Sequence, residues 1–307
     1  MASEIALGQE GWLVPGRFRS AKALVWLCLL AVLCILAFNV AADASLRVSA
    51  LVAGEAFTSR ANASPGARLT AVIIGSIAML ASYALAVGFV ERRKIPELGL
   101  RALIPDLAVG LAIGGLLIII IIGVMWGAGW ISIQTTPVTR VAESLKQSVQ
   151  SGVIEEVLMR IIIFRLLWRA AGVFPALFAA AALFGGLHLA NPDATVFSAL
   201  CLVAGEGISA GLYLLTGRIW MSIGMHTGWN FAQGWIFGSA VSGLAVFAGG
   251  PLQTRPTDGV SALLSGGGFG PESSLASLLV SLIASMFFLS LAWKRGRFVA
   301  VGQAFPA

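Results

Sequence analysis

Charged side chains are what this sequence lacks most: they make up 11% of its 307 residues, while 58% are hydrophobic. Soluble globular domains carry about 25% charged residues. The composition therefore excludes an ordinary soluble globule and predicts an integral membrane protein whose immediate partner is the lipid bilayer. The net charge of +6 does not predict a nucleic-acid partner, because basic loops in a membrane protein serve to fix its orientation.

Cysteine and histidine are also rare. The cysteines, Cys28, Cys34 and Cys201, lie in apolar runs, which excludes a disulfide framework and a cysteine-based metal motif. The two histidines, His188 and His226, are too far apart for the His-Glu-x-x-His motif of zinc proteases. The aspartates are predicted to fall at loops, which excludes a catalytic pair of membrane aspartates; they are Asp43, Asp106, Asp193 and Asp258.

Long apolar runs, by contrast, are abundant. A membrane-spanning helix needs about 20 mostly apolar residues, and the sequence predicts an all-α, polytopic transmembrane helical bundle of about eight spans. The predicted spans are 23–42, 70–90, 107–133, 148–168, 172–190, 195–216, 219–238 and 274–293. They form a transmembrane domain, 23–293, between an N-terminal tail, 1–22, and a C-terminal tail, 294–307. The run 23–42 is longer than the apolar core of a signal peptide, about 7–15 residues, so we predict that it is retained.

Basic residues set the predicted orientation. With the N-terminus in the cytoplasm, thirteen Arg and Lys residues fall on the cytoplasmic side and six on the other. Cytoplasmic loops carry the excess of Arg and Lys, so both termini are predicted to be cytoplasmic. The Ala- and Gly-rich composition and the short first tail favour a bacterial inner (plasma) membrane. The sequence makes no prediction of the oligomeric state.

Glycines at fixed spacing predict where helices touch, because Gly-x-x-x-Gly lets helix backbones approach closely in lipid. Such pairs occur at Gly110/Gly114, Gly123/Gly127 and Gly207/Gly211. The segment 249–272 is rich in glycine and proline and predicts a long loop before the last span.

Two acids and a base interrupt the fourth predicted span. Ionisable residues inside a membrane are costly and indicate a functional site. Glu156 and Arg160 are four residues apart on a helix and share a face, so we predict that they pair. Glu155 lies about 100° around the helix and stays available; a carboxylate in a low-dielectric cavity suits a general base. The alternative is that both glutamates only cap and pair near a helix end.

Both histidines fall at helical spacing from another candidate residue. His188 lies one turn after Phe184, and His226 shares a helix face with Asn230. A lone histidine is usually a satisfied core residue, but the neighbouring glutamates favour a functional role. His226 and Asn230 can donate hydrogen bonds to a developing oxyanion or hold water. The alternative for both is hydrogen bonding between helices.

One further motif is interpreted as structural. The string Gly207-Ile-Ser209-Ala-Gly211 matches the serine-hydrolase elbow, which needs a strand–turn–helix context. Here it lies in an apolar helical run, so we interpret it as helix packing. Glu206, just before it, has two open interpretations: it lines the cavity, or it pairs with Arg218.

Three motifs, in this order, resemble those of the CPBP family of intramembrane proteases, the CAAX protease and bacteriocin-processing group. They are Glu155-Glu156-x-x-x-Arg160, Phe184-x-x-x-His188 and His226-x-x-x-Asn230. The resemblance implies hydrolysis of a peptide bond in a membrane-associated peptide or protein, with a catalytic core at about 145–238. The supporting residues that it implies are Glu156, Arg160 and Phe184.

The resemblance also implies a role for each catalytic residue. Glu155 would activate water, His188 would position that water, and His226 and Asn230 would form the oxyanion site. Glu155, His188 and His226 could instead ligate a zinc ion. The same residues support a glutamate–water mechanism without metal, and we favour no obligatory metal.

Two other functions stay open: a non-catalytic scaffold or immunity-type membrane protein, and an ion-coupled transporter. A transporter should show internal repeats and a polar pathway through both leaflets, whereas the polar residues here cluster in one region. The predicted orientation puts Glu155 and His188 nearer the non-cytoplasmic face, while CAAX-processing relatives act on cytosolic prenylated tails. Either the predicted orientation is wrong, or the substrate of this protein is not a cytosolic prenylated tail.

Overall fold

The computed structural model describes residues 4–301. Helices dominate this range, and the protein is a polytopic helical bundle, as predicted. The helices are α1 (Arg19–Val52), α2 (Pro65–Ala86), α3 (Leu103–Gly127), α4 (Val141–Glu156), α5 (Arg165–Ala171), α6 (Val173–Leu187), α7 (Val196–Thr216), α8 (Trp220–Phe231), α9 (Ala262–Ser265) and α10 (Leu275–Lys294). The strands are β1 (Ile131–Thr135) and β2 (Leu252–Pro256).

Six helical segments within residues 4–301 are long and apolar enough to cross a membrane. They are Arg19–Val52, Pro65–Glu91, Pro96–Gly127, Val173–Ala190, Val196–Thr216 and Leu275–Lys294. The fourth and seventh predicted spans are not among them. The fourth runs from the second half of α4, which is rich in polar residues, into α5, and the seventh contains α8, which has only 12 residues. Both segments pack inside the bundle, and the total of eight spans stays a prediction.

Helices α4 and α5 are one continuous helix, joined by a π-helical segment, Val157–Phe164, in which nearly every residue is buried. π-helical turns are rare and often mark functional sites. This one begins directly after Glu156 and contains Arg160, so the helix widens at its polar motif. A second π-helical segment, Ala232–Ile236, continues α8.

The closest contact between helices joins α3 and α8. A Cβ on Gly110 would lie 2.7 Å from the backbone nitrogen of Met225, and a Cβ on Gly114 would lie 2.7 Å from that of Trp229. Real Cβ atoms do not approach a backbone this closely. The prediction that Gly110 and Gly114 mediate helix packing is therefore confirmed.

Of the other two glycine pairs, one packs against a helix and the other does not. Gly207 and Gly211 face Ser285 and Phe288 of α10, so their predicted packing role is confirmed. The prediction for Gly123 and Gly127 is wrong, because no described heavy atom lies within 4 Å of a Cβ at either position. The last turns of α3 have no partner helix on that side.

The third predicted span runs too far along the chain. α3 ends at Gly127, and a left-handed residue, Gly129, stops the helix. The apolar residues that follow form β1, which pairs antiparallel with β2, so that Thr135 lies opposite Leu252. The predicted loop at 249–272 therefore contains β2 and the short helix α9.

Two of the four aspartates do not lie at loops, contrary to the prediction. Asp43 lies within α1, which extends well beyond the predicted first span. Asp106 lies in the first turn of α3 and accepts a hydrogen bond from Arg218 at 2.6 Å. It is buried at the end of α3, whereas Asp193 and Asp258 are exposed, so among residues 4–301 no two aspartates are buried together.

Hydrogen bonds hold together the segments at one end of the bundle, which we name the basic face. Its segments are 4–18, 92–102, 217–219 and 295–301. Arg169 of α5 donates to the carbonyl of Gly8, and Trp168 donates to the carbonyl of Val299. Both ends of the described chain therefore lie at this face.

The other end of the bundle, which we name the opposite face, is built from longer loops. Its segments are 53–64, 128–140, 188–195 and 237–274. Asn191 donates to the carbonyl of Ser242 at 2.9 Å, and Gly243 donates to that of Phe269 at 2.8 Å. Loops that are distant in sequence thus cover this end together.

The glycine contact between α3 and α8 gives a test of the packing. We expect Gly114→Ala to lower the free energy of unfolding by about 1–3 kcal/mol, because its Cβ forces the two helices apart. Gly115→Ala is the matched control: its Cβ meets open space, and alanine favours the helix by up to about 1 kcal/mol. Thermal unfolding in detergent measures both, and an equally stable Gly114→Ala variant would contradict the packing.

Candidate active site

A cavity of about 500 Å³ lies between α4, α6, α7 and α8. The helices bring together all the residues that the sequence singles out. The predicted catalytic residues that line it are Glu155, His188, His226 and Asn230, and the predicted supporting residues are Glu156, Arg160 and Phe184. Most of the remaining lining is apolar, which is typical of ligand sites with a few placed polar groups.

Glu155 points into this cavity from α4. Its side chain is 31% exposed, and its Oε2 lies 3.6 Å from Nε2 of His226 and 4.0 Å from Nε2 of His188. No other described residue within 4–301 engages this carboxylate by a hydrogen bond. The carboxylate is therefore accessible and faces two imidazole rings, as a general base requires.

Glu156, its neighbour in sequence, is fully engaged instead. Arg160 Nε donates to Glu156 Oε2 at 2.8 Å, and both side chains are 1% exposed, so the predicted pair is present. Ser209 of α7 donates to the same oxygen at 2.8 Å. Glu156 is thus a structural carboxylate, whereas Glu155, one residue away, has its oxygens available.

Glu206 is the second carboxylate on Arg160. Arg160 Nη2 donates to Glu206 Oε1 at 2.7 Å, and Glu206 also lines the cavity. It does not pair with Arg218, which binds Asp106. The contact between Arg160 and Glu206 joins α4 to α7, and both residues are buried.

Sequence reasoning missed Ser209 as a functional neighbour. The string around it lies within α7, so the interpretation as a helix rather than a hydrolase elbow is confirmed. Ser209 follows Glu206 by three positions, and residues at that spacing share a helix face. This spacing in an otherwise apolar helix was the available signal.

The contacts of Nδ1 fix the orientation of both histidine rings. His226 Nδ1 lies 2.9 Å from Glu156 Oε1, and His188 Nδ1 lies 2.8 Å from the carbonyl oxygen of Phe184. A carboxylate or carbonyl oxygen can only accept, so we assign the proton to Nδ1 in each ring. Both Nε2 atoms are then left to face Glu155. The ring of Phe184 packs against His188, with centroids 4.5 Å apart.

Asn230 lies one turn after His226 on α8. Its Nδ2 donates to Ser151 Oγ of α4 at 2.8 Å, and the residue is 5% exposed. An amide nitrogen carries two hydrogens, so the second stays available to the cavity. Ser151 is a further residue that the sequence did not single out, and it anchors this amide.

A third set of contacts fixes the loops that line the outer end of the cavity. Glu272 accepts hydrogen bonds from Ser242 Oγ at 2.7 Å and from Trp229 Nε1 at 3.1 Å. Glu272 and Ser242 both line the cavity. The loop between α8 and α10 is thus fastened to the helix that carries His226 and Asn230. Glu272 lies in a short 3-10 turn, Pro271–Ser273, just before α10.

The donor types around Glu155 suit zinc, which binds carboxylate oxygen and imidazole nitrogen. The Nδ1 contacts of both histidines also resemble the outer contacts that orient metal-bound imidazoles. Within residues 4–301, however, no group of three or more His, Cys, Asp or Glu residues has the spacing of a metal site. We therefore derive the chemistry from the side chains alone.

Residues 137–232 match the family model named Rce1-like, described as type II CAAX prenyl endopeptidase Rce1-like. The predicted family is confirmed. The Rce1-like segment contains all three motifs and runs from the start of α4 to the end of α8, which is less than half of the chain. Among curated proteins and solved structures, no significant match is found.

The two adjacent glutamates of the Rce1-like segment should differ sharply in their effect on stability. We expect Glu156→Gln to lower the free energy of unfolding by about 3–5 kcal/mol, because it breaks a buried charge pair and leaves Arg160 undercompensated. We expect Glu155→Gln to change it by no more than about 0.5 kcal/mol, since this side chain is partly exposed and makes no hydrogen bond within the described chain. Thermal unfolding of the two purified variants in one detergent checks the contrast; equal destabilisation would contradict the assignment of roles.

Proposed function

We propose that this protein is an intramembrane endopeptidase that hydrolyses a peptide bond in a membrane-associated peptide or protein. The proposal rests on the hydrogen bonding of the Glu155 carboxylate. It is the carboxylate of the cavity that has no hydrogen-bonding partner among the described residues, while Glu156, Glu206 and Glu272 are all engaged. The match to an endopeptidase family supports the same reaction.

In the proposed reaction, Glu155 takes a proton from a water molecule held between its carboxylate and His188 Nε2. The water oxygen attacks the carbonyl carbon of the scissile bond and forms a tetrahedral intermediate. Glu155 then gives the proton to the leaving nitrogen and the C–N bond breaks. The carboxylic acid that results passes the second proton of the water to the amine, so the products are a carboxylate and an ammonium group.

The oxyanion of the intermediate is stabilised from α8. The free N–H of Asn230 donates to it, and so does Nε2 of His226 when that ring is an imidazolium held by Glu156 at Nδ1. Donors that are already oriented stabilise developing charge without reorganising, and one such donor is worth about 10²–10³-fold in kcat. Arg160, Glu206 and Ser209 act indirectly, because they hold Glu156 in place.

We propose that no metal is obligatory. The residues that would hold a zinc ion are Glu155, His188 and His226, and zinc supplies Lewis acidity and an activated water where it is bound. The steps above use only the side chains of the chain itself.

The reaction is tested by comparing the peptide termini in membranes and culture medium of cells that carry the wild type or Glu155→Gln at matched protein levels. We expect some termini to be present only with the wild type, because loss of a general base costs about 10²–10⁴-fold in rate. These termini would also identify the substrate. Identical peptide profiles, together with preserved biological activity of both forms, would exclude proteolysis and leave a scaffold function.

The oxyanion site is tested with Asn230→Ala, assayed on a reporter that contains a cleaved sequence found in that comparison. We expect kcat to fall about 10²–10³-fold, because one oxyanion donor is lost, while KM changes little. Ser151→Ala is the control: it removes the anchor of Asn230 but keeps the donor, so its loss should be much smaller. A larger effect of Ser151→Ala than of Asn230→Ala would contradict the assignment.

A further inference from the structure

The cavity opens at one end of the bundle. Lining residues from the opposite-face loops are Asn191, Val241, Ser242, Leu244, Phe247 and Glu272. The basic-face segments, as defined above, contribute no lining residue within the described chain. His188 itself follows the last residue of α6, at the opposite-face end of that helix. A polypeptide can therefore reach Glu155 from the opposite face.

Toward the basic face, the route from Glu155 is filled by buried ion pairs. Arg165, which follows the π-helical segment of the α4–α5 helix, binds Glu91 through Nη1 and Nη2 at 2.8 and 2.7 Å, and both residues are 0% exposed. Beside them, Arg93 binds Glu97 at 2.6 Å. These charges are compensated within the protein, so they form a closed layer and not a polar passage.

Exposed basic residues concentrate at this closed end. Those at the basic face with exposed side chains are Arg17, Arg19, Arg92, Lys94, Arg101, Lys294 and Arg295. Fewer basic residues lie toward the opposite face: Arg47, Arg140 and Arg255 are exposed there, Arg60 is paired with Asp43, and Arg68 and Lys146 share Glu143. Arg and Lys accumulate in the cytoplasmic loops of membrane proteins. This excess favours the closed end as the cytoplasmic end.

The charge of the cavity also restricts the substrate. Besides the two histidines, Arg160 is the basic side chain among the described lining residues, and two carboxylates already hold it. The carboxylate of a free chain end would find no cationic partner beside the scissile bond. Uncharged amides at the outer half of the cavity, Gln147 and Gln150, can instead hydrogen-bond a continuing backbone.

Resting on the proposed function, we propose that the site opens to the non-cytoplasmic side of the membrane and cuts an internal peptide bond of a membrane-anchored polypeptide presented from that side. The bond lies in a neutral or basic stretch of chain, several residues from a free carboxyl terminus. A lipid-modified cytosolic C-terminal tail is not the substrate, because the cavity is closed toward the cytoplasm and has no partner for a terminal carboxylate.

The direction of the opening is tested with single cysteines in the full-length protein, in a Cys28→Ser background that removes the exposed native thiol. Leu244→Cys reports on the cavity mouth, where Leu244 is 39% exposed. Ala128→Cys reports on the same face away from the cavity, and Gly16→Cys reports on the basic face, where its Cβ meets open space. A membrane-impermeant maleimide is added to intact cells and to inside-out vesicles.

We expect Leu244→Cys and Ala128→Cys to be labelled in intact cells, and Gly16→Cys only in inside-out vesicles. The reverse pattern would overturn the proposal. If Leu244→Cys fails to accumulate, Ala128→Cys and Gly16→Cys still decide the orientation. The labelling needs no activity, so its outcome is independent of the proposed reaction.

The substrate side is tested with two reporters, each a single membrane anchor that carries the cleaved sequence either outside or in the cytoplasm. We expect cleavage of the outside reporter only, and its loss in Glu155→Gln. Glu155-dependent cleavage of the cytoplasmic reporter, or of a lipidated C-terminal tail, would refute the substrate class and leave the proposed function intact. If neither reporter is cleaved although the labelling is as expected, the proposed function fails, and with it the substrate class.

Discussion

The Arg160 guanidinium, held between two carboxylates, is the interaction on which the rest of the site depends. A buried charge without a partner costs several kcal/mol, so Arg160 requires Glu156 from its own helix and Glu206 from α7. Glu156 in turn accepts from Ser209 and faces His226. One carboxylate therefore joins three helices, α4, α7 and α8, deep in the bundle.

Because of this arrangement, the adjacent residues Glu155 and Glu156 have different roles. Everything that orients the site converges on Glu156, while Glu155, about 100° around the same helix, is left without a hydrogen bond and in contact with the cavity. The π-helical segment begins at this point, so the backbone itself departs from regular α-helix where the two roles separate. A helix that carried only one of the two glutamates could not both brace the site and present a free carboxylate.

The sequence predicted the parts of the site that depend on local spacing. The pairing of Glu156 with Arg160 follows from four-residue separation on a helix, and the packing of Gly110 and Gly114 follows from the same periodicity. Contacts between residues far apart in the chain could not be predicted in this way. The sequence does not decide between the two interpretations of Glu206, because its partner Arg160 lies 46 positions away.

The errors have the same origin. Hydropathy does not distinguish isoleucine in a strand from isoleucine in a membrane helix, so the predicted third span extends into β1. The burial of Asp106 depends on its distant partner Arg218, and no local pattern reveals that partner. The glycine pair at Gly123 and Gly127 has the right spacing but no neighbour, because spacing alone does not say which side of a helix is occupied.

The glycine contact between α3 and α8 has a mechanical consequence. Where two backbones touch, neither helix can rotate or slide past the other without a collision. Helix α8, which carries His226 and Asn230, is therefore held in one position relative to α3. The wall that carries His188 ends in loops, and hydrogen bonds, among them those to the Glu272 carboxylate, hold the loops at the mouth of the cavity. The helix that carries His226 and Asn230 is thus held by backbone contact, whereas the loops at the cavity mouth are held by hydrogen bonds, so the two parts of the site are fixed in different ways.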